Sequence, residues 1–399
     1  MRSQTLSRAT AFRVTAPRAA ALAALSLLSG CGQIFGGGAS THLGQSAVAP
    51  TVFGYATADE PQAALAARQI LNQGGNAADA AAAAGFVLSV TLPSRAGLGG
   101  GGACIIKMPD AEGNAQPPVA LLFPPGAPAS LSGNRPAAVP SLARGLLALQ
   151  ARYGVLPAAS VIVPAERLAA GVPVSPALES DLQVVGNALT ADPAAASVFA
   201  PNGVLLPAGA NLAQPDLAAT LESLRVLGVQ GLYAGRYAQN FADAADQAGA
   251  GLLAADLAAN LPQFTAPLIS TSGNLTTASL PVPAPGSVQP ATASFSALDK
   301  NGGVVSCAVT MNNLFGNGRI APGTGVLLAA PPRAGQPAPL AASITYTAGG
   351  TFRATATGTG RGAISRANAI SCPGGVPGGE ATCTATADPS GQGLAIGGR

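Results

Sequence analysis

The sequence predicts an α+β protein in which strands are stacked inside layers of helices. Apolar residues with helical spacing dominate its first half, alternating strand-like runs dominate its second half, and one glycine-led strand lies near the start. Helices and strands segregated in this way pack as layers around a shared core. The chain of 399 residues is 48% hydrophobic but only 4% aromatic. Its core must therefore be built mainly from Ala, Val and Leu.

The first half of the chain predicts a series of helices. Asp59 is expected to cap the first, whose apolar positions recur every three or four residues up to Leu71, and Gly74-Gly75 to end it. Asn76 is expected to cap a second helix from Ala77 to about Val90, which is apolar nearly all round and so predicted to be buried. Further helical segments are predicted over residues 142–153, 164–170, 217–226, 238–248 and 254–257.

Strand signals start at the glycine-rich stretch RAGLGGGGACIIKM, which leads into a strand from Ala103 to Met108. Two later runs, 294–298 and 304–311, are joined by Asp-Lys-Asn-Gly-Gly, a hairpin signal because positive φ is easily adopted there. The loop PVPAPGSVQPA precedes this hairpin. Thr292 therefore stands where an exposed loop meets a core strand.

The first thirty residues have the layout of a secretory signal peptide. Four arginines precede an apolar run from 19 to 28, which is too short to span a membrane. The run ends in Leu28-Ser29-Gly30-Cys31, which resembles a bacterial lipobox and implies cleavage before Cys31 and lipid on its sulfur. An ordinary signal with a chance cysteine stays the alternative. We expect a signal peptide over 1–30, a flexible tether over 31–53, and a lipid-anchored location in the bacterial cell envelope, facing the periplasm.

Charge and motif spacing exclude several classes of partner. The 20 basic residues include the four signal arginines and otherwise do not outnumber the 17 acidic ones, so no nucleic-acid partner is predicted. The lone His42 lies in the tether and C-x-x-C spacing is absent, so no metal site is expected. Gly97-x-Gly99-x-x-Gly102 matches a dinucleotide fingerprint, but a strand follows it instead of a helix. No cofactor is predicted.

Four cysteines follow Cys31. Cys372 and Cys383 flank a Gly/Pro-rich loop and can close it with a disulfide, which an oxidising compartment allows. Cys104 and Cys307 lie in strand-like runs, and for these two a disulfide and buried free thiols both stay open.

Thr292 is a candidate nucleophile. Without a histidine in the core, neither a Ser-His-Asp nor a Cys-His triad can form. A threonine needs no histidine if its own α-amino group serves as the base. That chemistry requires cleavage of the bond between Ala291 and Thr292, in the exposed loop. The ordinary alternative is a threonine that merely begins a strand.

Several sequence blocks, in order, resemble the γ-glutamyltransferase family of N-terminal-nucleophile hydrolases. The family's small subunit begins like Thr-Thr-His-(Tyr/Phe)-Ser-Val-Val-Asp, and TASFSALD from Thr292 is similar to it. A Thr-Leu-Asn and a Phe-Gly-x-Gly follow there, matched here by Thr310-Met311-Asn312 and Phe315-Gly316-Asn317-Gly318. Upstream, the stretches ILNQGGNAADAAAAAGFVLSVTLPSRAGLGGGGACII, VPSLARGLLALQARYGVLP and QPDLAATLESLRVLGVQGLYAGRYA resemble the large subunit. The likeness covers roughly residues 54 to 365.

The resemblance implies a four-layer αββα sandwich, two stacked sheets between helices. It also implies a precursor that cuts itself before Thr292 into a large subunit, 54–291, and a small one, 292–370. Thr292 would supply Oγ as nucleophile and its α-amine as base, Thr310 would orient it, and Asn312 would hold the amino-acid end of a small-molecule substrate, an amide or a γ-glutamyl-type compound. The alternative is that Thr310 and Asn312 only fill a strand and a turn. Residues 371–399 resemble nothing in the family, so the small subunit is expected to be shortened and to end in a flexible tail.

The residues with which the family grips a γ-glutamyl group are replaced. Pro124 stands for an arginine, and Ala341 and Ala342 stand for two serines. The amine-binding stretch Asn-Asn-Gln-Met-Asp-Asp becomes AAPPRA at 329–334. The substrate pocket is therefore expected to be altered.

The glycine pair of the family's oxyanion hole falls on Arg361 and Gly362. An oxyanion hole uses backbone N–H groups, so Arg361 can still serve there, and its guanidinium can hold a carboxylate in two hydrogen bonds. Three functions stay open: an enzyme acting on an altered amide, a protein that only processes itself, and an inactive envelope lipoprotein that keeps the fold as a structural or binding module.

Overall fold

Two β-sheets stacked face to face, with helices on the outer face of the larger one, make up the described part of the chain. The computed structural model describes residues 46–47 and 358 by their backbone and residues 53–280, 292–332, 340–357, 368–388 and 392–398 in full. All of them belong to one compact unit, Thr41–Arg399.

Helices fill most of the chain up to residue 259. The second is the central one: all its residues are buried, as its apolar surface predicted. Asn76 caps it by accepting from the N–H groups of Ala78 and Asp79, and Asp79 accepts from the Asn76 N–H in return. The helices are α1 (Pro61–Asn72), α2 (Ala77–Thr91), α3 (Pro93–Ala96), α4 (Leu142–Tyr153), α5 (Ala158–Ala169), α6 (Pro176–Leu189), α7 (Pro193–Phe199), α8 (Pro215–Leu227), α9 (Gln230–Tyr233), α10 (Gly235–Gln247) and α11 (Ala254–Ala259).

Some helix predictions need correction. Glu60, not Asp59, caps α1: its carboxylate accepts from the Ala63 N–H at 3.2 Å, whereas Asp59 accepts from the Ser294 N–H. α5 extends to the N-terminal side of Pro164, which lies inside the helix. α6 and α7 were not predicted, although Ser175 and Asp192 each cap a helix with proline at its first position.

The larger sheet has eight strands in the order β1-β18-β2-β10-β11-β3-β4-β7, and the second has six in the order β17-β16-β15-β14-β9-β8. Except for the parallel pair β1–β18, neighbouring strands are antiparallel. The described residues also form two small two-stranded sheets, β5–β6 and β12–β13. The strands are β1 (Ser46–Ala47), β2 (Gly54–Ala58), β3 (Gly101–Lys107), β4 (Val119–Phe123), β5 (Val172–Pro173), β6 (Asn211–Leu212), β7 (Gln263–Thr265), β8 (Leu268–Ser272), β9 (Leu275–Ser279), β10 (Thr292–Asp299), β11 (Val304–Thr310), β12 (Ile320–Ala321), β13 (Val326–Leu327), β14 (Ala341–Thr347), β15 (Phe352–Gly358), β16 (Asn368–Val376), β17 (Thr384–Thr386) and β18 (Leu394–Gly398).

The hairpin predicted from Thr292 onward is confirmed as β10 and β11. Gly302 takes the positive φ of +80° that the turn requires. The Asp299 carboxylate accepts from the N–H groups of Asn301 and Gly303 and, across the sheet, from that of Ala77 at the start of α2. The turn therefore fixes the central helix to the central hairpin.

Both remaining cysteine pairs are bonded. Cys104 and Cys307 stand directly opposite on β3 and β11 and form a disulfide, which decides between the two alternatives left open. The predicted Cys372–Cys383 disulfide is confirmed and joins β16 to the residue before β17.

The predicted flexible tail over 371–399 is wrong for its described part. β16 runs on to Val376, and β18 pairs along its length with β2 in the larger sheet. The sequence LAIGG of β18 carries one β-branched residue and two glycines, so propensity alone gave no strand signal.

The helices cover one face of the eight-stranded sheet, and a second core lies between the sheets. Within the described ranges no α-helix packs extensively on the six-stranded sheet, so these ranges do not contribute the fourth layer. Nor is any described helix long and apolar enough to cross a membrane.

Candidate active site

Thr292 and Thr310 face each other at one end of the β10–β11 hairpin. They are register partners, with Thr292 5% exposed and Thr310 fully buried. Side chains alternate along a strand, so Thr292 shares a face with Ser294 and Ser296, and Ser294 contacts Asn368 of the second sheet. The candidate nucleophile therefore belongs to the layer between the two sheets.

Asn312 follows Thr310 and folds the chain back toward it. Its N–H donates to Thr310 Oγ1 at 2.9 Å, and its backbone lies in the left-handed region with φ of 58°. Its Nδ2 donates to the Ala330 carbonyl at 2.8 Å, and the Ala330 N–H donates to the Met311 carbonyl. Ala330, one of the residues that replace the family's amine-binding stretch, is thus held close to Thr310.

The glycine run that resembles a dinucleotide fingerprint has a packing role here. Gly101 begins β3 and is the register partner of Thr310. A Cβ on Gly100 would collide with the Thr310 carbonyl oxygen, and one on Gly99 with that of Leu327. Glycine is required because backbones approach each other closely behind the threonine pair.

The register also places other substituted positions at this end. Pro124 directly follows Phe123, the partner of Gly102 on β3. In the second sheet Ala342 pairs with Thr357, which pairs with Asn368, the residue that contacts Ser294. The structure therefore brings the positions of Pro124 and Ala341–Ala342 to the Thr292 end of the sandwich.

Four predicted residues, Cys31, Ala291, Arg361 and Gly362, lie outside the described residues.

Sequence reasoning missed a polar cluster beside Thr292. Asp59 Oδ2 accepts from the Ser294 N–H at 2.8 Å, and Asp59 Oδ1 accepts from Asn368 Nδ2 at 2.5 Å. Asn368 Nδ2 also lies 2.8 Å from Ser294 Oγ. The two-residue alternation from Thr292 signals Ser294, whereas no sequence pattern points to Asn368, which comes from a distant strand.

Burial raises the pKa of the Asp59 carboxyl to about 6. The hydrogen bonds from Ser294 and Asn368 and the charge of Arg95 lower it, while Asp388 adds to the rise. The carboxyl beside the threonine pair thus titrates within the physiological range.

A cavity of about 1100 Å³ lies elsewhere. It opens beside Asp299 and Lys300, at the opposite end of β10 from Thr292. Seven residues of extended strand separate the two ends by about 23 Å. The predicted nucleophile therefore lies well away from this cavity. No group of three or more His, Cys, Asp or Glu side chains placed to hold a metal ion occurs among the described residues.

Comparisons with known proteins point to one group of enzymes. A family model described as Gamma-glutamyltranspeptidase matches residues 63–291, more than half of the chain. The chain is 32% identical over 227 residues to the Acylase ACY 1 proenzyme of Pseudomonas sp. (strain SE83), covering 51% of this chain and 40% of that protein. It is 30% identical over 239 residues to the Glutathione hydrolase proenzyme of Escherichia coli (strain K12), covering 55% and 40% respectively. The chain therefore spans about two fifths of the length of these relatives.

A solved structure shows the fold over most of the chain. The cephalosporin acylase from Bacillus halodurans superposes with a TM-score of 0.66, covering 82% of this chain and 81% of that one, at 20% identity. At this identity the likeness concerns the fold alone. It confirms the α+β class with stacked sheets predicted from the sequence.

Proposed function

Because the chain belongs to the gamma-glutamyltranspeptidase family and has a fold of the N-terminal-nucleophile hydrolase type, we propose that it is a self-processed N-terminal-threonine amidohydrolase or acyltransferase. The observation that carries this proposal is the placement of Thr292. It begins a central strand, directly opposite Thr310, and immediately follows the Pro-rich sequence 281–291.

Self-processing would start from the uncut precursor. Thr292 Oγ attacks the carbonyl carbon of Ala291 and passes its proton to the departing nitrogen, so that an ester replaces the peptide bond. Water then hydrolyses the ester, giving a carboxylate at Ala291 and a free hydroxyl and α-amine at Thr292. The α-amine has an ordinary pKa of about 7.7–8.0 and can then act as the base that nucleophilic catalysis needs.

In turnover, Oγ would attack the carbonyl of an amide substrate and release its amine. The acyl group passes to water in hydrolysis or to an acceptor amine in transfer. The backbone N–H groups of Arg361 and Gly362 would stabilise the oxyanion. Asn312, beside Thr310, would contact the substrate.

The proposed substrate is a small amide without the γ-glutamyl zwitterion. Each charged hydrogen bond lost with Pro124, Ala341 and Ala342 is worth roughly 1.5–3 kcal/mol, so the loss of several lowers γ-glutamyl binding by orders of magnitude. One relative is named an acylase, a name that does not restrict the acyl group to glutamyl. Our hypothesis for the donor is a carboxylate-bearing acyl group held by Arg361 in a shifted pose, and the alternative is an inactive pocket in which Arg361 holds no substrate.

Intact mass spectrometry of reduced wild type and Thr292→Ala tests the processing step. We expect two chains for wild type, cleaved between Ala291 and Thr292, and one chain for Thr292→Ala. Thr271→Ala, at an exposed threonine of β8, is the matched control and should be cleaved like wild type. A single wild-type chain would exclude the proposed function.

Release of aniline from γ-glutamyl, glutaryl and neutral acyl anilides then tests turnover. We expect hydrolysis of the glutaryl anilide that is lost in Thr292→Ala and reduced in Arg361→Lys. The replaced gripping residues favour a second candidate, an envelope lipoprotein that keeps the fold without turnover. Cleavage without hydrolysis of any anilide would support a self-processing but inactive protein. The absence of both cleavage and hydrolysis would support the second candidate.

The proposed location is the bacterial cell envelope. The lipobox ending at Cys31 supports a lipid anchor, with the folded unit facing the periplasm. The two disulfides support an oxidising compartment.

A further inference from the structure

Asp59 connects the two sheets immediately beside the candidate nucleophile. It follows the last residue of β2, and besides accepting from the Ser294 N–H it donates its own N–H to the Ser294 carbonyl at 3.1 Å. Its second oxygen accepts from Asn368, the first residue of β16. The Asn368 amide oxygen accepts in turn from the Asp388 N–H at 3.1 Å. Three segments that are far apart in the sequence are thereby held together two residues from Thr292.

The cluster needs both oxygens of the carboxylate as acceptors. Ser294 N–H donates to one oxygen and Asn368 Nδ2 to the other. An ionised carboxylate accepts at both oxygens, but a protonated one carries a hydrogen on one of them. Protonation therefore weakens one of the two hydrogen bonds to Asp59, because the hydroxyl oxygen of a carboxylic acid is a poorer acceptor than a carboxylate oxygen. Asn368 is fully buried, so no water compensates for that loss.

We propose that ionised Asp59 is the positioning residue of this site: by holding Ser294 and Asn368 it sets the start of β10, so that self-processing at Thr292 depends on its ionisation. The proposal rests on the proposed function, since it assumes that Thr292 is the nucleophile. Asp59 acts through Ser294 and Asn368 and not by contact with the reacting atoms. A displacement of about 1 Å at a nucleophile can lower a rate on the order of a hundredfold, so small shifts of β10 matter.

The charged groups around Asp59 come from each neighbouring element. Arg95 of α3 lowers the pKa of Asp59, but Asp181 of α6 accepts from Arg95 at 2.7 and 2.8 Å and shares its charge. Asp388, which follows β17, raises the pKa of Asp59. Glu60 is the next residue in the chain and caps α1. Because the pKa of Asp59 is about 6, its carboxyl is mostly ionised at pH 7 and mostly protonated at pH 5.

Self-processing of the full chain provides the test. Precursor made by cell-free translation is shifted to buffers between pH 4.5 and 8.5, and cleavage is followed on reducing gels. The precursor has no free amine at Thr292, so that group does not contribute to the profile. We expect the wild-type rate to fall about tenfold per pH unit below an inflection near 6, as for one protonation.

Asp59→Asn separates positioning from general stability. It keeps the size of the side chain but removes its titration, so we expect slower cleavage with no inflection near 6. Asn368→Ala should slow cleavage while keeping an inflection, shifted upward because the hydrogen bond that lowers the pKa is lost. Asp110→Asn, at a partly exposed carboxylate beside the distant cavity, is the control and should retain the wild-type profile. Wild-type rate and inflection in Asp59→Asn would overturn the proposal.

Failure of the proposed function is recognised separately, because then wild type is not cleaved at any pH. Hydrogen exchange of the β10 segment in the uncut chain then decides whether Asp59 acts on it. After correction for intrinsic exchange rates, hydrogen exchange of β10 should become faster in wild type when the pH is lowered from 7 to 5. In Asp59→Asn the corrected rate should not change. Equal behaviour of both proteins would overturn the role of Asp59 in positioning β10.

Discussion

Two consecutive carboxyl groups, Asp59 and Glu60, stand where β2 meets α1. Burial raises the pKa of Glu60 to about 7, although hydrogen bonds from the Thr91 hydroxyl and from the Ala63 and Gln62 N–H groups lower it. A carboxyl whose pKa is higher in the folded than in the unfolded state makes the folded state bind more protons. Its contribution to stability is fully present below about pH 4.3 and is lost as the pH rises through the folded value.

Glu60→Gln should therefore reduce the pH dependence of stability. Between pH 4.5 and pH 7.5 we expect the free energy of unfolding of wild type to decrease, with a Glu60 contribution of up to about 3 kcal/mol. The variant should lack that contribution, because glutamine accepts the Ala63 and Thr91 hydrogen bonds without titrating. Urea unfolding at several pH values measures the effect, with exposed Glu112→Gln as control. An unchanged slope in Glu60→Gln would contradict the assignment.

Thr310 offers a test that separates chemistry from stability. Thr310→Val keeps the shape of the side chain but removes the oxygen that accepts from the Asn312 N–H. We expect a loss of about 1 kcal/mol in stability, and a much larger fall in the cleavage rate before Thr292. Thr345→Val removes a comparable hydroxyl, bonded to Thr277 in the second sheet, and should leave cleavage unchanged. Equal effects of the two substitutions on cleavage would leave Thr310 without a special role.

At the level of elements, the described C-terminal strand has an unexpected place. β18 lies beside β2 in the larger sheet, with Leu394 opposite Ala58, the residue before Asp59. Leu394 and Ala395 are buried there. Through β2, the end of the chain supports the strand that carries the positioning carboxylate.

Ending the chain at Asp388 removes β18 and should be strongly destabilising. Burial of Leu394 and Ile396 alone corresponds to about 3 kcal/mol or more, and β2 would also lose one of its two hydrogen-bonded neighbours. We expect a lower melting temperature and slower cleavage before Thr292. Removing Arg399 alone, which follows β18, is the control. A truncated protein as stable as wild type would contradict a structural role for β18.

Elements with strong local signals were predictable and the others were not. α2 and α4 were found within a residue or two of their bounds from helical spacing, and the β10–β11 hairpin was found from its turn. β16 to β18 escaped because they are rich in Ala, Gly and Ser and owe their strand conformation to pairing partners elsewhere in the chain. The Asp59–Asn368 contact escaped for the same reason, since 309 positions separate the two residues.

For the whole molecule, the proposed attachment to the membrane depends on the lipobox that the sequence predicts before Cys31. A lipid-modified cysteine that carries more than one acyl chain is held stably in a membrane. Cys31→Ala should therefore move the protein from the membrane fraction to the soluble envelope fraction. Immunoblotting of separated fractions measures this, with Ser29→Ala as a neighbouring control. A Cys31→Ala protein that stays in the membrane would show that the lipobox assignment is wrong.

The Cys104–Cys307 disulfide gives the proposed cleavage an unusual outcome. Cys104 precedes the bond between Ala291 and Thr292 and Cys307 follows it, so the disulfide crosses the cleavage site. The lipid at Cys31 would be carried by the N-terminal fragment alone, while the fragment that begins with Thr292 would have no lipid of its own. Washing membranes with denaturant should leave both fragments attached, and adding reductant to the wash should release only the Thr292 fragment. In the proposed envelope location, this one disulfide would be the covalent link between the fragment that begins with Thr292 and the lipid-anchored fragment.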